Sequence, residues 1–203
     1  MKSIPEWLQN GAELMVDIET LSTQPNAIIL SIGAVKFNPQ VRNNEEDIAV
    51  ESFYVNIDRD DAASYGLHTC PDTVAWWAAQ SESARNALDK DAVNLRTAIE
   101  RFTAFIGEEP RVGKCWAKDP DFDVVILRQS FRAVKNGDFP VPYYLTRSVR
   151  TVTDLAYPNE HDVPVIRVGT HHNAVDDCIS QALMVQHCYH ILNLTRTSTR
   201  PIL

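Results

Sequence analysis

The sequence predicts an α/β domain with a mixed central sheet flanked by helices, and three observations lead to this prediction. Three strand-like segments follow one another closely in the first part of the chain. The hydrophobic period then changes from that of a strand to that of a helix. In the second half, strand-like and helical segments alternate, which is typical of folds that cover a sheet with helices. The 203 residues are enough for one domain with a substantial core.

The first three strands are predicted over residues 13–18, 26–37 and 51–57. The first is a short apolar run, the second is long and rich in β-branched residues, and the third alternates in polarity. A charged stretch at residues 42–47 indicates a turn or an exposed loop. Because the connections are short, we expect these three strands to pair as an antiparallel meander.

The later elements are predicted from helix-opening residues and hydrophobic period. Pro71 and Asp72 are typical of the first turn of a helix, and Leu95, Ile99 and Phe102 form an apolar stripe with helical spacing. In chain order, the predictions are helices over 70–81 and 91–106, a strand over 111–117, a helix over 119–137, a strand within 148–156 and a helix over 173–192.

Composition and charge exclude several classes of protein. The chain is 44% hydrophobic and 23% charged, which is ordinary for a globular protein. Its net charge of −8 argues against a strongly basic nucleic-acid coat and against a polybasic membrane patch. An acidic site that holds metal ions remains compatible with this charge. Since no repeat or linker divides the chain, we predict one domain over residues 1–203, with a core from about 13–193, a short N-terminal extension and a C-terminal tail.

The cysteines and the start of the chain favour a cytoplasmic protein. None of the four cysteines forms a CxxC pair, so they are interpreted as buried thiols of a reducing compartment. The N-terminal sequence has no apolar run fit for a signal peptide, and no segment approaches the ~18 apolar residues of a membrane span. We therefore expect no membrane contact, whereas a homodimer is compatible with the sequence. The cysteines are Cys70, Cys115, Cys178 and Cys188.

Two carboxylates follow the first apolar run directly. Residues i and i+2 of a strand share one face, so Asp17 and Glu19 project together while Ile18 points to the other face. Two carboxylates at this spacing repel each other unless a cation lies between them, and Mg²⁺ or Mn²⁺ is the natural partner of oxygen ligands. Solvated acids beyond the end of a strand would give the same pattern, so this pair alone does not decide between the two.

A second acidic cluster opens the helix predicted over 119–137. Asp119, Asp121 and Asp123 stand at its front. Acids in this position stabilise the helix dipole, which is a sufficient structural reason for them. However, the preceding strand would deliver this helix start to the carboxyl edge of the sheet, where α/β folds place their functional sites.

A third cluster combines histidines with acids. His171, His172, Asp176 and Asp177 lie within seven residues at the start of the last predicted helix. Histidine is the side chain best suited to accept a proton near neutral pH. A capped helix with an exposed acidic first turn would also explain these residues. The presence of two further acidic motifs elsewhere in the chain makes the functional interpretation stronger.

Taken together, the three stretches resemble the motifs of the DEDD superfamily of exonucleases, the DnaQ-like group, in its DEDDh subclass with a catalytic histidine. The motifs are VDIET, the FD of DPDFDVVIL, and HNAVDD, which fits HxAxxD. The stretch CPDTVAWWAAQS is similar to a subgroup that includes a mycobacterial exoribonuclease and a T-even phage exonuclease. The resemblance covers about Leu14 to Leu192. It implies a ribonuclease H-like fold and a metal-dependent 3′-5′ exonuclease that releases nucleoside 5′-monophosphates.

The resemblance also implies roles for individual residues. His172 would be the general base of a two-metal mechanism with Mg²⁺ or Mn²⁺. The motif selects Asp123 over Asp121 because the acid follows the aromatic Phe122, and the HxAxxD count from His172 ends at Asp177 rather than at Asp176. The implied metal ligands are Asp17, Glu19, Asp123 and Asp177.

The implied substrate is the 3′ end of single-stranded DNA or RNA, and the sequence does not tell which. Thr20 and Leu21 are candidates for contact with the terminal nucleotide. Trp76, and equally Trp77, is a candidate either for base stacking or for core packing. Five basic residues are candidates for holding the backbone, and the sequence does not rank them. These are Lys114, Lys118, Arg128, Arg147 and Arg167.

Two other functions are compatible with the same residues. One is a nuclease-like binding or regulatory module that has the fold without turnover, which is disfavoured because all five motif positions are filled. The other is a zinc hydrolase, which would depend on stoichiometric zinc rather than on Mg²⁺. Its ligands would be His161, His171, His172 and Asp177.

Overall fold

The structure is a computed structural model that describes residues 11–49, 51–107, 112–135 and 137–195. Its strands are β1 (Glu13–Thr20), β2 (Ile29–Phe37), β3 (Ser52–Asn56), β4 (Cys115–Ala117) and β5 (Thr146–Ser148). Its helices are α1 (Glu45–Ala49), α2 (Arg59–Ser64), α3 (Pro71–Ala78), α4 (Glu82–Asp89), α5 (Leu95–Gly107), α6 (Asp123–Ala133), α7 (Val149–Ala156) and α8 (Ala174–Ile191). Single 3₁₀ turns lie at Tyr143–Leu145 and Glu160–Asp162.

The five strands form one mixed sheet in the order β3-β2-β1-β4-β5. β2 is antiparallel to both β1 and β3, as the predicted meander requires. β4 is parallel to β1, and β5 is parallel to β4. The predicted fold class is therefore confirmed. Because β1 is the central strand, side chains at its carboxyl end have neighbours on both sides.

The alternation of side chains along β1 divides the core between the two faces of the sheet. Leu14, Val16 and Ile18 belong to one buried cluster, which includes residues of α5 and α6. Met15 belongs to the other, which includes residues of α7 and α8. Asp17 and Glu19 point to the same face of the sheet as Met15, because every second residue of a strand does so. Their side chains therefore project from the face that α8 covers, as their spacing predicts.

The start of α8 lies unusually close to the sheet at Gly33. In the β1–β2 register, Gly33 pairs with Asp17. A Cβ added to Gly33 would lie 2.2 Å from the carbonyl carbon of Ala174 and 2.4 Å from the amide nitrogen of Val175. Only glycine leaves room for this approach, because both obstacles are backbone atoms that cannot rotate away.

Gly33→Ala is expected to destabilise the protein by about 1–3 kcal/mol, the usual cost of overpacking a well-filled core. Denaturant unfolding gives the free energy of unfolding that checks this. Gly107→Ala is the matched control, because a Cβ at Gly107 meets no atom within 4 Å. Equal stability of the two variants would contradict the close packing of α8 on the sheet.

One predicted element is wrong. Residues 148–156 were expected to hold a strand, but the strand ends at Ser148 and residues 149–156 form helix α7. The Ser148 side chain accepts a hydrogen bond from the Thr151 N–H and caps the helix. Val149, Val152 and Thr153 are buried with helical spacing. Packing of this face against α8 outweighs the strand preference of the β-branched residues.

Three short helices were not predicted. α1 begins within the stretch 42–47 that was expected to be a loop or turn, and the side chains of Asn44 and Asp47 each accept the other's N–H. α2 follows β3 and is capped by Asp58, which accepts two N–H groups. The helix predicted over 70–81 ends at Ala78, and Ser81 caps the separate helix α4.

Two of the predicted segments lie wholly or mostly outside the described residues. The N-terminal extension and most of the C-terminal tail lie outside them. Cys115, Cys178 and Cys188 are buried, as expected, but Cys70 is only half-buried, because it precedes α3 near the surface. Among the helices of the described residues, none is long and apolar enough to cross a membrane.

Candidate active site

The carboxyl end of β1 carries the first two candidate ligands. Glu19 is buried, and the strand pairing shifts between Glu19 and Thr20. The Asp17 Oδ1 accepts a 2.8 Å hydrogen bond from the Gln181 side chain of α8. This bond fixes the Asp17 carboxylate against the helix that carries the third motif.

The second motif meets β1 at the start of α6. Asp123 is the first residue of α6 and is buried, and its Oδ1 accepts a 3.3 Å hydrogen bond from the Ile18 N–H. The backbone between Asp17 and Glu19 therefore holds the Asp123 carboxylate in place. Asp121 is exposed to solvent, and Asp119 forms an ion pair with Arg150.

The third motif folds back on itself before α8 begins. Asp177 accepts a hydrogen bond from the His172 N–H at its Oδ2 (3.2 Å) and contacts the Arg167 guanidinium with its Oδ1. Asp176 instead accepts the Thr170 N–H at 2.7 Å, which stabilises the turn before the helix. The two neighbouring acids thus have different environments, one in the site and one in the turn.

His172 is held between the first motif and two tryptophans. Its φ of +63° is in the left-handed region, which histidine enters more readily than most residues. Its Nδ1 lies 3.8 Å from the Glu19 Oε1. Its ring packs edge-to-face against Trp76 and Trp77, with centroids 4.9 and 6.0 Å away.

The four candidate carboxylates and His172 line one open cavity of about 540 Å³. Ligand atoms of Glu19, His172 and Asp177 lie within 4.8 Å of one another. Four carboxylates with oxygen donors suit a hard divalent cation, and a cation would relieve their mutual repulsion. The residues present therefore fit the metal ions that the motifs imply. All five predicted catalytic residues line the cavity: Asp17, Glu19, Asp123, His172 and Asp177.

Burial and crowding change the protonation of these groups. Burial, and then the charges of Asp17, Asp177 and Asp123, raise the pKa of Glu19 to about 10. Burial also raises the pKa of Asp17 well above its ordinary value, and Asp123 and Asp177 raise it further. Burial raises the pKa of Asp123 to about 7, although the Ile18 N–H opposes this. Without cations, the folded site therefore retains protons at neutral pH.

The histidine shifts in the opposite direction. Burial, and then the neighbouring His171, lower the pKa of His172 below its ordinary value. A lowered pKa keeps the imidazole neutral near pH 7, and the neutral ring is the form that accepts a proton. Its chemistry is therefore compatible with a general base.

A second cavity of about 500 Å³ adjoins the first. Thr20, Trp76 and Trp77 line it, together with Asp72 and Thr73 of α3. The two cavities share the residues Ile18, Glu19, Phe122 and His172. Of the four carboxylates, Glu19 thus lies at the border of the two cavities, and the other three line only the larger one.

The structure separates the four residues proposed to contact substrate. Trp77 is buried at 6% exposure and donates its indole N–H to the Thr20 carbonyl at 2.8 Å, so it packs in the core. Trp76 is 44% exposed. Thr20 lines the second cavity, whereas Leu21 is buried in the core and lines neither cavity described above.

The structure brings only part of the zinc hydrolase ligand set together, since His171, His172 and Asp177 line the larger cavity and His161 does not. His171 is exposed beside His172, with ring centroids 3.8 Å apart. His161 lies in a 3₁₀ turn and does not line the cavity. Within the described residues, the group with metal-binding geometry consists of Glu19, His172 and Asp177 and contains neither His171 nor His161. The observed donor set is thus dominated by carboxylates.

Several residues of the larger cavity are not indicated as site residues by the motifs, and Gln181 and Phe122 are two of them. Gln181 follows Asp177 by four residues and therefore shares its helix face, a spacing that could have indicated it. Phe122, noted before only as part of the motif, lies between the two cavities. Nothing in the sequence alone indicates that it borders both spaces.

Comparison with known proteins identifies the family. Residues 12–189 match the family described as the 3′-5′ exoribonuclease Rv2179c-like domain. No curated protein matches the chain.

Several solved nucleases share the fold. The Mg²⁺- and Mn²⁺-bound form of S. pombe Pop2p has a TM-score of 0.57 and 11% identity, covering 87% of this chain and 82% of its own. Exonuclease X, in complex with 5′ overhanging duplex DNA, has a TM-score of 0.53 and 15% identity, covering 87% and 90%. The nuclease domain of 3′hExo, a DEDDh family member bound to rAMP, has a TM-score of 0.54 and 11% identity, covering 88% and 92%.

These structures support the ribonuclease H-like fold, and the family match spans the β1, α6 and α8 motifs. The resemblance to DEDDh exonucleases is thus confirmed. Because the match extends over residues 12–189, the chain belongs to the Rv2179c-like family and is a 3′-5′ exonuclease.

Proposed function

We propose that this exonuclease removes nucleoside 5′-monophosphates from the 3′ ends of single-stranded DNA or RNA, with two divalent cations and a histidine base. The observation that supports this most strongly is the convergence of four carboxylates and His172 on one cavity. They come from the end of β1, the start of α6 and the start of α8. Residues 1–203 would constitute a single exonuclease domain.

In this proposal, Asp17, Glu19, Asp123 and Asp177 hold two Mg²⁺ or Mn²⁺ ions. When bound, such ions lower the pKa of an attacking water and stabilise the leaving 3′ oxygen. Gln181 donates a hydrogen bond to Asp17, and the Ile18 N–H donates one to Asp123. Groups that hydrogen-bond to metal ligands usually keep those ligands oriented. The protein thus provides a fixed acidic cradle before the ions arrive.

His172 accepts the proton of the attacking water. Its lowered pKa leaves the ring neutral, and its position beside Glu19 and Asp177 puts it next to the proposed ions. The terminal nucleotide would occupy the smaller cavity, where Thr20 lies and Trp76 offers an exposed ring for base stacking. The scissile phosphate would then lie at the junction of the two cavities.

Parallel digestion of matched DNA and RNA oligonucleotides tests this function. Each strand carries a 5′ label, and time points in Mg²⁺ and in Mn²⁺ are separated by length. We expect a ladder that shortens one nucleotide at a time from the 3′ end, with 5′-monophosphates as products. Binding without hydrolysis in either metal would instead favour the silent nuclease-like module, and activity that requires zinc would favour the zinc hydrolase.

A further inference from the structure

The five basic residues that the sequence could not rank have very different positions. Lys114 forms an ion pair of 2.8 Å with Glu13, at the opposite end of β1 from the candidate site. Arg128 donates to the Val141 carbonyl, and Arg147 donates to the carbonyls of Tyr144 and Thr146. None of these three basic groups lines the larger cavity.

Lys118 and Arg167 do line that cavity. Lys118 follows β4 directly, is exposed, and makes no salt bridge to another residue in the described part of the chain. Arg167 lies in the loop before α8, with 39% of its side chain exposed. Arg150 lines the cavity as well, but both Asp119 carboxylate oxygens accept its Nε–H at 2.7 and 2.8 Å.

The position of the cavities defines which part of a nucleic acid these two cations would meet. A strand whose terminal nucleotide lies beside Trp76 would pass Glu19 at the border of the two cavities and then continue past the other three carboxylates through the larger cavity. The phosphodiester that reaches this cavity is the one on the 5′ side of the scissile linkage. This phosphodiester carries a full negative charge. Since the carboxylates of Asp119, Asp154 and Glu160 also line this cavity, the phosphate needs cationic partners there.

The chemistry of both side chains suits this phosphate. A guanidinium has five N–H donors in a planar fork, so the contact of one Arg167 Nη with Asp177 leaves donors for a second anion. The ammonium of Lys118 is a mobile point charge that can follow the phosphate. Lys118 and Arg167 thus supply two positive charges to the cavity that also holds the acidic cluster.

We propose that Lys118 and Arg167 together bind the phosphodiester immediately 5′ of the scissile linkage and so align the strand across the carboxylates. This inference rests on the proposed function, because it assumes that a strand crosses the site with its 3′ end in the smaller cavity. Both residues are positioning residues for the substrate.

The salt dependence of binding tests the inference directly. The probe is a 5′-fluorescein oligothymidylate of eight nucleotides, bound to protein that carries Asp17→Asn so that equilibrium is reached without cleavage. Each phosphate contact contributes about 0.7 to the slope of log K against log salt for a single strand. Because both side chains contact one phosphate, we expect the double variant Lys118→Gln/Arg167→Gln to reduce the slope by about 0.7 and each single variant by a part of this, whereas Lys118→Arg and Arg167→Lys preserve it.

Arg132→Gln is the matched control. Arg132 forms an Arg–Asp pair with Asp138 near the far end of α6, and both side chains are more than half exposed. Its removal changes the net charge as Arg167→Gln does, but we expect the slope to stay within experimental error. Slopes that are unchanged by Lys118→Gln and Arg167→Gln, or reduced equally by Arg132→Gln, would overturn the inference.

A neutral methylphosphonate placed at the assigned linkage locates the contact. It should weaken binding to the protein with Lys118 and Arg167 intact, and should have little further effect on the double glutamine variant. An equal loss for both proteins would show that the wrong phosphate was assigned. Failure of the proposed function is distinguishable from these outcomes, because it would appear as absence of hydrolysis by the unmodified protein.

Discussion

Asp17→Asn is expected to abolish hydrolysis and at the same time to stabilise the protein in the absence of metal. Removing a residue that hydrogen-bonds to a metal ligand typically lowers activity by about 10–100-fold. Removing a proposed ligand itself should therefore lower activity by more than about 10²-fold. Asparagine has nearly the same shape as aspartate, and its side-chain oxygen can still accept the Gln181 hydrogen bond. The change therefore removes charge while the surrounding contacts are retained.

The gain in stability follows from the direction of the pKa shifts. Glu19, whose ordinary pKa is 4.5, has a pKa of about 10 in the folded protein. Within this range the folded protein holds a proton that the unfolded chain has released, so the free energy of unfolding falls as the pH rises. Asp17 is shifted in the same direction. Replacing Asp17 by neutral asparagine removes one of the groups that make the free energy of unfolding fall as the pH rises.

Thermal unfolding in EDTA across pH 5–8 measures the effect. For a chain of this size, each kcal/mol of repulsion removed raises the melting temperature by about 2–4 °C. The variant should melt higher than the unmodified protein, with the difference growing as pH rises. Added Mn²⁺ should raise the melting temperature of the unmodified protein and have a much smaller effect on the variant, because a bound ligand stabilises the folded state.

Asp121→Asn is the control for both measurements. Asp121 stands two residues before Asp123 and has the same charge, but it is exposed and does not line the cavity. We expect it to retain activity and the stabilisation by Mn²⁺. Hydrolysis by Asp17→Asn at a rate near that of the unmodified protein would contradict the role proposed for Asp17.

The arrangement of the motifs could be predicted because each depends on local pattern. The parity of β1 alone puts Asp17 and Glu19 on one face, and a helix that begins at Asp123 brings this acid to the carboxyl edge of the sheet. Residues 149–156 could not be assigned correctly, because their β-branched residues favour a strand until packing against α8 is known. Local preference is weak where tertiary packing decides.

Contacts between distant elements were beyond the reach of the sequence for a different reason. Adjacent tryptophans on a helix point in different directions, so one could be in the core and one in the site, but the sequence does not say which. The indole of Trp77 reaches the Thr20 carbonyl only because α3 lies against the end of β1. The approach of Arg167 to Asp177 likewise depends on how the loop before α8 folds.

His172→Asn is expected to lower kcat by about 10²–10⁴-fold, the usual contribution of a general base, with little change in KM. Asparagine tolerates the left-handed φ of this position, so the turn before α8 should be preserved. The His172 backbone N–H, which donates to Asp177, is also retained. Only the imidazole is lost, and single-turnover hydrolysis measures its contribution.

His171→Asn is the control at the adjacent residue, because His171 lies beside His172 in the same cavity but is exposed and does not belong to the group with metal-binding geometry. We expect a much smaller loss of kcat than in His172→Asn, because the imidazole of His172 and its other contacts stay in place and only the influence of His171 on its pKa is lost. Equal losses in the two variants would indicate a general effect on the turn rather than removal of a base.

His172→Asn also distinguishes a base from a metal ligand. The test is needed because the ligand atoms of Glu19, His172 and Asp177 lie close enough to share an ion. If His172 accepts a proton, its replacement leaves Mn²⁺ binding unchanged in calorimetry and lowers only the rate. If it coordinates an ion, the same replacement weakens Mn²⁺ binding, and excess metal recovers part of the activity. We expect the first result, because four carboxylates already line the cavity and supply the oxygen ligands that Mg²⁺ prefers.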